Sequence, residues 1–182
     1  TVAGAWRHES GGAFLAGSAL WDLDNDLVRG LGALKAGVRV LDQPRIGAIL
    51  AGNKAALCGG PPVSAMLIQN SNCAVTAPDT GAVLAGLARE DLFVCVHDQF
   101  MTPTARLADI VLPATTFVEH DDIYVGIGHT HLSLGPKVIE PYAQSRSNHD
   151  VVCGIAKRLG AEHPGFAMTA WELIDAMLRA SN

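Results

Sequence analysis

Three short apolar runs constrain this chain more than any other feature: SAMLIQN, LFVCVHD and DIVLPA, all between Ser64 and Ala114. Each is short and rich in β-favouring residues, as strands are. The segments between them have another character. APDTGAVLAGLARED reads as a helix whose start is marked by Pro78 and Asp79, and TPTARLA as a short helix. This strand–helix–strand–helix–strand alternation implies a parallel sheet with right-handed crossovers. The expectation is an α/β fold with a mainly parallel sheet flanked by helices.

Composition narrows the function classes. The chain has 182 residues, of which 49% are hydrophobic and 17% charged, so it is globular and can bury one sizeable core. Its abundant glycine and scarce aromatics suit a helix-covered parallel sheet. A net charge of -5 without a basic block argues against a nucleic-acid partner. An anionic ligand would fall to backbone N–H groups, helix N-termini and single polar side chains. No apolar run has the length of a membrane span. The opening TVAGAWRHESGGAF lacks the pattern of a signal peptide, and it lacks Met, so the chain is expected to begin inside something larger or to be processed. Cys58, Cys73, Cys95 and Cys153 form no CxxC pair. Cys95 and Cys153 read as buried free thiols, which favours a reducing compartment, the cytoplasm, with the periplasm left open.

Residues 1–45 read as loop, helix and short strand, either the tail of a preceding domain or a lead-in; residues 46–182 read as the α/β domain itself. Asp22, Asp24 and Asp26 resemble the opening of a calcium loop, but the expected glycine and closing glutamate are missing, so they read as a solvated face. QPRIGAILAGNKAALCGGPP looks like a helix with a glycine–proline stop. Residues 119–145 read as an irregular polar stretch, too long for an ordinary connector and so a candidate for function. SNHDVVCGIAKRLG reads as a capped helix ending in Lys157, Arg158 and Gly160, and TAWELIDAMLRASN as an amphipathic helix capped by Thr169.

In open parallel sheets, ligands sit at the carboxyl ends of the strands, near the point where strand order reverses. Three polar clusters fall at such ends: Asn70 and Asn72; His97-Asp98 with Thr102 and Thr104; and Glu119-His120-Asp121-Asp122. Asp98 has two readings. It could cap the short helix after its strand, worth about 1 kcal/mol. It could instead accept hydrogen bonds from a ligand such as guanine, whose Watson–Crick edge presents adjacent N–H donors to one carboxylate.

The stretches NCAVTAPD, LFVCVHDQFMTPTARLADIVLPATTFVEHDD and SNHDVVCGIAKRLG resemble the molybdopterin oxidoreductase family, the dimethyl sulfoxide reductase type of molybdenum enzyme. The likeness covers roughly Ile46 to Gly160, and GAWRHESGGAF also looks like the segment that precedes it in these enzymes. Such enzymes carry molybdenum or tungsten on two molybdopterin guanine dinucleotides. The resemblance implies that this chain is the third domain, a Rossmann-like, nucleotide-binding layer that holds one guanine nucleotide tail. It would partner the remaining domains of its own parent chain. By similarity, Asn72 lies where the family's turn nears the cofactor, and His97 and Asp98 lie where a polar pair meets the nucleotide. Thr102 belongs to the phosphate-side turn, His120 takes a position that is Lys in some members, and Asp150 matches a cofactor-contacting Asp at a helix start.

The departures concern substrate and metal. Cys73 stands where the family has proline after Asn72. Asp121-Asp122 and GHTHLSLG replace the Gly-containing turn and the Arg-rich segment of nitrate reductases and formate dehydrogenases. The metal-ligating Cys, Ser or selenocysteine, and any iron–sulfur cysteines, belong to earlier domains of the family. The chain alone is therefore expected to be inactive, while its parent transfers oxygen atoms or electron pairs. Three other readings compete with this one. A stand-alone nucleotide-binding module like the central domain of thiamine-diphosphate enzymes would carry a glycine-rich phosphate loop, which CGGPP matches poorly. A zinc site could draw on His120, His129, His131 and His149. A purely structural interaction domain predicts no nucleotide affinity.

Overall fold

The computed structural model describes residues 38–125 and 131–181. Its centre is a parallel sheet of three strands in the order β1-β2-β3: β1 (Ala65–Gln69), β2 (Phe93–Asp98) and β3 (Ile110–Pro113). Register places Gln69 beside His97, and Asp98 beside Pro113. All three strands therefore deliver their last residues to one edge. The order does not reverse among the described strands, so the expected switch point is not formed by them; the shared carboxyl edge is.

The first crossover carries α2 (Cys73–Thr76) and α3 (Thr80–Leu87), and the second is a single 3-10 turn, Ala105–Leu107. Asp79 starts α3 from a left-handed backbone (φ 56°), and its carboxylate accepts from the Ala82 N–H. A shorter helix, α1 (Ile46–Leu50), packs against α3 on the same face of the sheet. Two glycines set that approach. A Cβ at Gly47 would come within 2.9 Å of the Ala82 Cβ, and one at Gly86 would run into Leu50. Between these helices and the sheet lies the core, with Leu50, Ile68, Val83, Val94 and Val96 at its centre. The other face of the sheet shows Leu67, Phe93 and Ile110 to the outside.

Three expectations need correction. The helix expected from Gln43 to Pro62 stops at Leu50, because Gly52 (φ 77°), Cys58 (φ 51°) and Gly59 (φ 73°) take left-handed conformations and turns follow. The short strand expected before Arg45 is not formed by residues 38–45; Gln43–Arg45 is a 3-10 turn held by Pro44. The polar stretch 119–145 is not irregular throughout. It contains an antiparallel hairpin, β4 (Asp122–Val125) and β5 (Leu132–Gly135), in which Ile123 faces Leu134 and Val125 faces Leu132. Those apolar cross-strand pairs hold the hairpin.

Two capped helices complete the described chain. In α4 (Asn148–Leu159), Ser147 accepts from the Asp150 N–H and Gly160 closes the end in a left-handed conformation. In α5 (Ala170–Ala180), Thr169 and Glu172 form a reciprocal capping box. The lead-in helix and Asp22, Asp24 and Asp26 lie outside the described residues. No described helix is long and apolar enough to cross a membrane.

Candidate ligand-binding cleft

A cleft of about 770 Å³ opens at the carboxyl edge of the sheet. Asn70, His97, Asp98 and Gln99 reach it from the strand ends, Thr115 and His120 from the segment after β3, and Ser147 to His149 from the start of α4. Leu173, Ile174 and Met177 of α5 give it an apolar side. The polar groups thus converge from loops while the strands and helices fix where those loops begin.

Asp98 stands at the tip of β2. One carboxylate oxygen, Oδ1, accepts from the Phe100 N–H at 3.1 Å, and the Asp98 carbonyl accepts from the Ala114 N–H at 3.0 Å. The other oxygen, Oδ2, takes no partner among the described residues, and Asp98 lines the cleft. Asp98 does not cap the 3-10 turn that follows. That work falls to Thr102, whose Oγ1 accepts from the Ala105 N–H at 3.2 Å.

His97 is 1% exposed, although it sits on the otherwise open face of β2. Its Nε2 lies 3.1 Å from the Arg146 carbonyl and its Nδ1 lies 3.1 Å from the Gln69 side-chain nitrogen. A carbonyl only accepts, so Nε2 carries the proton and Nδ1 accepts from Gln69. His120 is half-buried, with Nδ1 at 2.8 Å from the Thr115 hydroxyl and Nε2 at 3.9 Å from Asp122.

His97, Asp98 and His120 therefore come together on the cleft, whereas Asn72, Thr102 and Asp150 do not line it. The Asn72 amide oxygen accepts from the Thr104 hydroxyl at 2.8 Å and from its N–H at 3.3 Å, which braces the turn after β2. Asp150 is exposed and accepts from the Ser147 hydroxyl at 2.8 Å. His149 donates or accepts at Met168 O, 2.8 Å away; since that carbonyl accepts, its Nε2 is the donor. Neither His120 nor His149 belongs to a grouping of three or more His, Cys, Asp or Glu arranged for a metal among the described residues, and His129 lies outside them.

Sequence reasoning passed over Gln99 and Thr115, and it placed Glu119 in a polar cluster without giving it a partner. Gln99 donates to the Thr115 carbonyl at 2.9 Å, tying the two walls of the cleft. Glu119 is 6% exposed and accepts from the Thr116 N–H and hydroxyl and, across the loop, from the Tyr142 N–H at 2.7 Å. Those bonds, the Thr116 and Tyr142 N–H groups first, hold its carboxyl below the usual range. Glu119 had stood in the third polar cluster, and ATTFVE was its signal: a carboxylate three residues after a Thr, able to reach back to that N–H. Cys95 and Cys153 are free and only partly buried, and burial pushes both thiols up.

Charge sorts the ligands this cleft can hold. Its described lining contains Asp98, Asp121 and Asp122 and no Lys or Arg. Phosphate oxygens would meet like charge there, whereas a neutral group presenting N–H donors would meet acceptors.

A family model described as Molybdopterin oxidoreductase matches residues 36–158, which includes the sheet and most of the cleft. The chain belongs to the molybdopterin oxidoreductase family. The probable oxidoreductase YoaE of Bacillus subtilis is 37% identical over 160 residues, covering 87% of this chain and 23% of the relative. The dimethyl sulfoxide/trimethylamine N-oxide reductase of Rhodobacter capsulatus is 46% identical over 67 residues, 36% of this chain and 8% of that protein. Among solved structures, acetylene hydratase from Pelobacter acetylenicus superposes with a TM-score of 0.60 at 28% identity, covering 75% of this chain and 18% of the other. The chain thus spans under a quarter of the length of each of these three proteins. Membership in the family implies a molybdopterin cofactor with molybdenum or tungsten.

Proposed function

We propose that residues 46–182 form the layer of a larger molybdenum or tungsten oxidoreductase that grips the guanine end of molybdopterin guanine dinucleotide. The observation that carries the reading is Asp98 Oδ2 at the tip of β2, which takes no partner among the described residues, in a cleft whose described lining holds three carboxylates and no Lys or Arg. Guanine fits this donor set. Its N1–H and exocyclic amino group can both meet the Asp98 carboxylate, and Asn70 and Gln99 stand beside it to meet the rest of the base. The pyrophosphate does not belong against Asp121 and Asp122, so it leaves the cleft on another side.

When bound, the metal–pterin group supplies the oxygen-atom or two-electron chemistry of the parent enzyme. This chain supplies binding and orientation. Asp98 reads the base edge, His97 and Gln69 hold the strand ends in register, and the apolar side formed by Leu173, Ile174 and Met177 keeps water from competing for the base. The second molybdopterin guanine dinucleotide and any iron–sulfur cluster would be held by other parts of the parent.

Asp98→Asn tests the reading in the full-length parent protein. Asn keeps an oxygen for the Phe100 N–H, so the turn and the fold survive. It sets an amide donor against a guanine donor, with an expected loss of about 2–4 kcal/mol. Pterin and metal content of the purified variant should fall well below wild type. Equal content with normal activity would return Asp98 to a structural role.

A further inference from the structure

His97 is buried, titratable and not part of the base contact just described, yet it touches both walls of the cleft. It breaks the pattern of its own strand. Phe93 and Cys95, on the same side of β2, are exposed or half-exposed, while His97 is closed over by Gln69 and Arg146. The Arg146 carbonyl takes two donors, the His97 Nε2–H at 3.1 Å and the Thr115 N–H at 3.1 Å. Arg146 in turn donates its N–H to the Pro113 carbonyl at 3.0 Å, and the next residue, Ser147, caps α4. His97 therefore joins the Asp98 wall to the segment that delivers Ser147, Asn148 and His149 to the opposite wall.

We infer that His97 is a positioning residue whose Nε2–H bond to the Arg146 carbonyl sets the width of the cleft between Asp98 and the start of α4. This rests on the nucleotide reading above. The Arg146 carbonyl, which only accepts, fixes the tautomer; Nδ1 then accepts from Gln69, and the Nε2–H bond does the positioning. A histidine suits this task because its neutral ring offers an acceptor at Nδ1 and a donor at Nε2.

Two variants separate the two bonds. His97→Gln can put an amide N–H where Nε2 was, keeping the bond to Arg146. His97→Asn can put an oxygen where Nδ1 was, keeping the bond to Gln69 and leaving the Arg146 carbonyl short of a donor. GDP serves as the probe, titrated into cofactor-free full-length protein and scored per folded molecule. The expected result is near-wild-type affinity for His97→Gln and a loss of about ten-fold for His97→Asn. Equal, wild-type affinities would overturn the inference, and so would equal losses that track thermal stability, since a merely structural residue gives that pattern. Nitrogen-15 spectra of histidine-labelled wild type need no variant: they should show a neutral His97 protonated at Nε2, and an Nδ1–H tautomer would contradict the bond outright. The two levels stay distinguishable. Wild type that takes up no GDP would overturn the nucleotide reading together with this inference, whereas loss in Asp98→Asn with normal binding by His97→Asn would overturn this inference alone.

Discussion

The two sides of the parallel sheet's carboxyl edge are built on different physics. Behind it, β1 to β3 and helices α1 and α3 bury Leu50, Val83, Val94 and Val96 with almost no exposed surface. In front of it, Thr116, Tyr142 and Arg146 hold the buried Glu119 and His97 by directed hydrogen bonds. Apolar packing is non-directional and tolerates many sequences of the right pattern and volume. Hydrogen-bonded walls are specific, because a buried group without its partner is costly. The back of the sheet makes the fold, and the front makes the polar walls of the cleft.

That division can be broken by mutation, starting with the largest effect. Leu50→Ala, at the centre of the apolar layer, should cost about 2–5 kcal/mol in denaturant unfolding. A value under 1 kcal/mol would mean that the layer is looser than its burial indicates. Gly86→Ala is a sharper test. On an exposed helix the change would stabilise by roughly 1 kcal/mol. Here the added methyl meets Leu50, so destabilisation of about 1–3 kcal/mol is expected. A gain in stability would contradict the close packing of α1 on α3.

Thr169→Ala should lower stability by about 1 kcal/mol, since it removes one half of the capping box of α5. An unchanged unfolding midpoint would show that α5 is held by packing alone. The smallest effect at neutral pH concerns the polar wall. The Glu119 carboxyl is held below its ordinary value by the Thr116 and Tyr142 N–H groups, so its folded-state pKa lies under its unfolded one. Its contribution to stability is therefore fully present above the ordinary carboxylate range and is lost as pH falls through the depressed folded value. Protection of the Thr116 and Tyr142 amides, relative to their intrinsic exchange, should fall on acidification, and Glu119→Gln should flatten that dependence. Exchange at these sites that ignores pH beyond its intrinsic chemistry would remove Glu119 from the wall.

The same contrast explains what the sequence disclosed. Strands β1 to β3 and helices α3 to α5 were legible because apolar runs, Pro78-Asp79, Ser147 and Thr169 act locally. The early end of α1 was not, since the stop was read at Gly59-Gly60-Pro61 and the left-handed backbone at Gly52 appears only in three dimensions. The β4–β5 hairpin was hidden by its brevity: each strand has four residues, too few for alternation to stand out. In the candidate site, Asp98 was visible as a carboxylate at a strand tip. Asn72, Thr102 and Asp150 are just as polar and just as near in sequence, yet they turn to Thr104, Ala105 and Ser147. Which neighbour a polar side chain chooses depends on distances that no spacing rule encodes. His97 and Glu119 show the converse, polar residues drawn inside because partners from residues 142–146 close over them.

Base preference tests the central claim most directly. In cofactor-free full-length protein, the wild type should bind GDP more tightly than xanthosine diphosphate, because the Asp98 carboxylate accepts from both the N1–H and the amino group of guanine. Xanthine carries a carbonyl in place of that amino group. Asp98→Asn offers one donor and one acceptor, so the order should invert, with xanthosine diphosphate favoured on the order of ten-fold. Inversion would place Asp98 against the Watson–Crick edge of a guanine base. Equal affinity of both proteins for both nucleotides would contradict the claim, and the cleft at the end of β2 would then hold something other than guanine.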